Sequence, residues 1–174
     1  MRQRFEQLVD ANGGRLLQLA RLILRSASDA EDIVQDSLIK LWSQLPSLEP
    51  GAEPAWLMTC TRNACLDRLR TQRRQSGLLR QVHSVDRELE SHVNDRGPAT
   101  NALHQEQARQ LHDAIRALPE PARSLIILRD IQDLDVATVA ETLDLTPNQV
   151  KVYTFRARRT LRRQLEECSH EQVA

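Results

Sequence analysis

The sequence predicts an all-α protein, two small helical modules joined by a flexible linker, with a helix-turn-helix in the second. Three observations lead there. Apolar residues recur at intervals of three and four along most of the chain, and no stretch alternates as a half-buried strand would. A polar stretch interrupts that periodicity in mid-chain. Near the end, a short helix, a tight turn and a long basic helix follow one another. The division is 1–74, a linker at 75–101, a second module at 102–168 and a tail at 169–174, and 174 residues are enough for two small domains.

In the first module Phe5, Leu8 and Val9 open an amphipathic helix; Gly13-Gly14 is expected to break or loosen it before the apolar run Leu16 to Leu24. A second helix is expected from Ser28, with Ser28 and Glu31 as a capping box, and carries Ile33, Val34, Leu38, Leu41 and Leu45. Pro46 to Pro54 holds three prolines and a glycine and reads as a loop. A third helix starts at Ala55 with Trp56-Leu57 and runs to about Arg74. From Gln75 to Asn101 serine, asparagine, glycine and proline displace apolar residues, the composition of a tether.

Helix resumes with Ala108, Leu111, Ile115 and Leu118 and stops at Pro119-Glu120-Pro121. Leu125 to Leu128 lead into the helix-turn-helix, whose first helix carries Val136, Val139, Ala140 and Leu143. Asp144-Leu145 turns, Thr146 caps the next helix, and Pro147 suits its first turn because no amide bond is lost there. Val150, Ala157, Leu161 and Leu165 then share one face. Between Thr146 and Leu165 stand six basic residues and no acid. A charge run is usually a solvated face, but acid-free basicity on a capped second helix favours the DNA major groove.

Bulk charge conceals this, because 24 basic and 24 acidic residues cancel. The charge is segregated: residues 62–80 hold six arginines against Asp67, and residues 106–145 hold eight acids against four bases. Cys60, Cys65 and Cys168 form no CxxC pair and are odd in number, so idle thiols in a reducing cytoplasm are expected rather than a disulfide framework. No apolar run is long enough to span a membrane, and the chain is read as soluble and cytoplasmic.

Asp29-Ala-Glu-Asp-Ile-Val-Gln-Asp-Ser-Leu-Ile-Lys-Leu-Trp42, then Trp56-Leu57, Arg62-Asn63 and Leu66-Asp67-Arg68-Leu69-Arg70, resemble the second conserved region of bacterial RNA polymerase sigma factors. Leu118-Pro-Glu-Pro-Ala-Arg123 and the helix-turn-helix resemble the fourth. With only a tether between them, the whole is similar to the extracytoplasmic-function (ECF) group. The resemblance implies docking on core RNA polymerase, recognition of promoter DNA and an anti-sigma partner, with no cofactor.

It also implies roles for residues. Asp32, Gln35 and Asp36, on one helical face, would meet the basic clamp helices of the polymerase largest subunit. The Pro46–Pro54 loop and the helix start at Trp56 would handle the minus-10 element, where extracted bases need a pocket. Trp56 suits the core as well as DNA. Asn63 would meet base edges, with Arg62, Arg68, Arg70, Arg73 and Arg74 on the backbone. On the recognition helix Asn148, Gln149, Lys151, Val152, Phe155, Arg156 and Arg159 would face minus-35 DNA, arginine reading guanine and Phe or Val a thymine methyl. Met58-Thr59 stand where the family commonly has an aromatic and a basic residue, and Lys151-Val152-Tyr153 also depart from its usual pattern; Tyr153 lies nearer the Val150 and Ala157 face.

An enzymatic reading is weaker. Asp29, Asp32 and Asp36 could bind Mg²⁺, but no second acidic cluster of matching spacing follows, and His83, His92, His104, His112 and His170 are scattered. A polymerase-independent helix-turn-helix regulator would leave the 29–42 and 56–70 motifs without a purpose.

Overall fold

The computed structural model describes the backbone of residues 1–78 and 98–171, and the side chains of 1–75 and 106–167. Every described element is helical, and they fall into two units divided after Leu89. Most of the expected linker, and residues 172–174 of the tail, lie outside the described residues. Helix extends into both ends of that linker: the third helix continues through Leu78, and the fourth begins at Pro98, whose fixed φ suits a first turn.

The first unit packs three helices pairwise, α1 (Arg2–Ile23), α2 (Ala27–Gln44) and α3 (Glu53–Leu78). Leu16, Leu19, Ile23, Leu41, Leu45, Leu57 and Met58 form the core. Two local expectations are corrected. Gly13-Gly14 does not interrupt α1, because the face formed by Asn12, Leu16, Leu19 and Ala20 is buried and its packing outweighs a propensity cost of about 1 kcal/mol per glycine. Nor do Ser28 and Glu31 form the cap of α2. Ser26 does, its Oγ accepting the Asp29 amide at 3.2 Å, while Glu31 pairs with Arg21 at 3.0 Å. The loop before α2 places Ser26, not Ser28, in the extended conformation that a cap requires.

The second unit gathers α4 (Pro98–Ala117), α5 (Ala122–Ile126) and α6 (Val136–Leu143) around the long α7 (Pro147–Glu171). Ile115, Leu118, Leu125, Ile127, Leu128, Val139, Val150 and Ala157 are its core. Pro119 and Pro121 separate α4 from α5. Arg123 folds back inside, donating from Nε (3.2 Å) and Nη2 (3.0 Å) to the Leu118 carbonyl that the end of α4 leaves without a helical partner. From Ile127 to Ile131 the helix widens into a π turn, with the Gln132 amide bonded to the Ile127 carbonyl at 3.0 Å.

Candidate nucleic-acid and polymerase interfaces

On α2 the apolar positions Ile33, Val34 and Leu41 face the core, so Asp32, Gln35 and Asp36 are turned to solvent on the opposite side. Neither Asp32 nor Asp36 pairs with a cation among the described residues. The stripe continues along the helix into Ile39, 68 % exposed, and Trp42, 41 % exposed, whose ring meets Phe5 edge-on at 5.1 Å. Asp29 belongs to the fold instead. It takes the Arg68 guanidinium and the Gln72 amide, the latter at 2.9 Å, and so ties α2 to α3.

That contact divides the basic residues of α3. Arg68 is half-buried against Asp29, a role its sequence position did not signal because the partners are 39 positions apart. Arg62 donates to Asn63 Oδ1 at 3.0 Å, and Arg70 pairs with Asp67 at 2.7 Å, all exposed to different degrees. Arg73 and Arg74 are exposed and meet no acid among the described residues. Trp56 is half-buried, and Met58 lies in the core, so the position after Trp-Leu cannot present a stacking ring here. Burial pushes the Cys65 thiol pKa up to about 12, which disfavours the thiolate.

The helix-turn-helix follows its local signals closely. Asp135 caps α6, accepting the amides of Ala137 (2.8 Å) and Thr138 (2.9 Å) and the Thr138 hydroxyl (2.6 Å); these bonds, the hydroxyl first, hold its carboxyl below the usual range. Asp144 closes α6 in the left-handed conformation, at φ 54 and ψ 49. Thr146 and Gln149 then form a reciprocal capping box: the Gln149 amide reaches Thr146 Oγ1 at 3.2 Å, and the Thr146 amide reaches Gln149 Oε1 at 2.8 Å.

Val150, Thr154 and Ala157 seat α7 on the unit. Asn148, Gln149, Lys151, Val152, Phe155, Arg156 and Arg159 are therefore all exposed, although the Gln149 carbonyl oxygen is engaged in the cap. Phe155, 69 % exposed, is the most solvent-facing large apolar side chain among the described residues, and nothing in the unit covers it. Tyr153 is half-buried. Arg158 turns back to Asp130 on the π turn, so this cation orients the helix.

Residues 8–75 match the family model Sigma-70 region 2, and residues 108–161 match Sigma-70, region 4. The ECF RNA polymerase sigma factor SigM of Mycobacterium tuberculosis is 30 % identical over 166 residues, covering 94 % of this chain and 78 % of SigM. The chain belongs to the ECF RNA polymerase sigma factors. CnrH, an RNA polymerase sigma factor of Cupriavidus metallidurans, is 29 % identical over 160 residues, covering 90 % of this sigma factor and 84 % of CnrH. CnrH, solved in complex with the cytosolic domain of CnrY, superposes with a TM-score of 0.69 at 25 % identity, over 96 % of this chain and 90 % of CnrH. The sigma factor RpoE of Bartonella quintana, solved with the anti-sigma factor NepR, has the same fold, with a TM-score of 0.76 at 24 % identity over 94 % and 98 % of the two chains. This sigma factor directs promoter-specific initiation of transcription by RNA polymerase. Among its described residues no helix is long and apolar enough to cross a membrane, and no cluster of His, Cys, Asp or Glu could hold a metal ion.

Proposed function

We propose that the tasks of initiation are divided among three surfaces of this sigma factor. Asp32, Gln35 and Asp36 dock on the basic clamp helices of core polymerase. The Pro46–Pro54 loop, Asn63 and the arginines of α3, Arg73 and Arg74 foremost, take the opened minus-10 strand. The exposed side of α7 reads minus-35 duplex, with Arg156 on base edges, Phe155 and Val152 against thymine methyls, and Lys151 and Arg159 on phosphates. Residues 1–74 and 102–168 are the two working modules.

The observation that carries this reading is Phe155. Phe155 and Val152 lie three positions apart on α7, both exposed among its cations, and an apolar pair flanked by positive charge suits a base edge with phosphates on either side. Work on the chromosome places the protein in the cytoplasm. An anti-sigma factor, as NepR is for the Bartonella quintana RpoE, would hold it inactive there.

Permanganate reactivity of minus-10 thymines with and without core polymerase tests the scheme. Opening is expected only with core, because the exposed acids of α2 need that partner. Opening by the isolated chain would refute the scheme, and tight sequence-selective duplex binding without core would favour an independent regulator.

A further inference from the structure

We propose that Arg4 and Glu53 are positioning residues for promoter opening, forming a clamp that holds the loop between α2 and α3 in its strand-capturing shape. This rests on the assignment of that loop to the minus-10 element.

Glu53 is the first residue of α3, yet its side chain is only 5 % exposed. Its Oε1 accepts Arg4 Nε at 2.7 Å and also Arg4 Nη2, while Oε2 accepts the Gly51 amide at 2.6 Å. One carboxylate thus joins α1, the loop and α3. A buried carboxylate is costly unless every lone pair is engaged, and losing one partner leaves the others strained or uncompensated. Burial raises the Glu53 carboxyl, and hydrogen bonds from its own amide, Arg4 and Gly51 outweigh this and keep it below the ordinary carboxylate range.

The loop it grips is built, not slack. Buried Leu45 anchors one end, where the Ser47 amide meets the Gln44 carbonyl at 2.9 Å. At the other end the Ala52 amide meets the Glu49 carbonyl at 3.1 Å, and Gly51 sits at φ +95, which a residue with a Cβ adopts only under strain. Pro46, Ser47, Glu49 and Pro50 are left exposed between these anchors. A pocket for an extracted base must exist before the base arrives, since ordering a loop during capture would subtract from the gain of capture. The clamp supplies that order from α1, an element that carries none of the residues assigned to DNA.

The test uses holoenzyme reconstituted from core polymerase and the full chain. Arg4→Ala removes the guanidinium; Gly51→Ala leaves the ion pair in place and disturbs only the backbone, because a Cβ there meets nothing within 4 Å. Both are expected to reduce permanganate reactivity of minus-10 thymines by about tenfold, the loss of part of one captured base, with core affinity and minus-35 protection within about twofold. Arg4→Lys should restore most of the opening. Should Arg4→Ala prove unfolded by circular dichroism, Gly51→Ala and Arg4→Lys decide the matter. Normal opening with Gly51→Ala, or with a folded Arg4→Ala, overturns the proposal. Substituting Ser47, Glu49 and Pro50 together separates the two layers. If that abolishes opening while the clamp variants do not, the clamp alone fails; if it too is silent, the minus-10 assignment of the loop fails.

Discussion

Arg158 on α7 holds Asp130 through both carboxylate oxygens, with contacts of 2.5 to 3.2 Å across 28 positions of sequence. The hydrogen bond to Asp130, aided by its charge, raises the Arg158 pKa, so the guanidinium is fixed both in charge and in place. Arg158 is 57 % exposed, and the pair is worth no more than about 1 kcal/mol to stability. Its electrostatic effect on DNA binding is the sharper one. Arg158→Ala is expected to leave the salt dependence of promoter binding nearly unchanged, whereas Arg159→Ala should lower the slope of log K against log salt by about 0.9. Equal changes in the two slopes would show that Arg158 leaves Asp130 for a phosphate.

Reversing Asp32 and Asp36 to Lys should abolish capture by core polymerase in a pull-down. Both are exposed and pair with no described cation, so stability should stay within about 0.5 kcal/mol of the parent. Undiminished capture by a folded double variant would remove α2 from the docking surface.

On the recognition helix, Arg156→Ala should cost about 1 to 3 kcal/mol and relax preference at one base position. Lys151→Ala should weaken all sequences alike and reduce the salt slope by about one contact. Binding to a panel of single-base promoter variants at two salt concentrations separates these outcomes, and no effect from either would mean the wrong face of α7 has been assigned.

Gly13 and Gly14 lie inside an unbroken α1, and a Cβ on either would meet nothing within 4 Å. Alanine at each should therefore stabilise the first unit by about 0.5 to 1 kcal/mol. A fall in the urea midpoint would show that a bend in α1 depends on these glycines.

Acid should act through Glu53. Its folded pKa lies below the ordinary value, so it contributes stability that is present above about pH 4.3 and lost as pH falls through the lower folded value. Glu53→Gln should flatten that acid limb in urea melts while leaving the slope near neutrality unchanged. An acid limb of parental steepness would assign it to other carboxylates.

How much of this was legible in the chain depended on sequence distance. Thr146, Pro147 and Gln149 lie within one turn, so their capping chemistry announces the start of α7, and the exposed face from Asn148 to Arg159 follows from helical periodicity. The exposure of Asp32, Gln35 and Asp36 follows in the same way from the spacing of Ile33, Val34 and Leu41, whereas their docking role rests on the resemblance. Asp29 with Arg68, Arg4 with Glu53, and Arg158 with Asp130 are invisible to such reasoning, because each pair is created only when helices pack. The same limit hides the tie of Arg68 to Asp29, since nothing local among its basic neighbours points to a partner on another helix. Gly13-Gly14 shows the opposite failure, a local breaker overruled by a buried face.

The π turn at Ile127–Ile131 sets a phase. Each residue of an α-helix advances the azimuth by about 100°, and a turn wound from i to i+5 holds one residue more than an α turn would. Winding the same residues as an unbroken α-helix would instead carry everything after the turn about 100° further around the axis relative to what precedes it. Leu128 and Asp130 could not both keep their bearings, one toward the interior and the other toward Arg158. The widened turn therefore acts as a timing offset between the hydrophobic rhythm of α5 and the polar grip on α7, and the aim of the recognition helix is encoded in that extra residue.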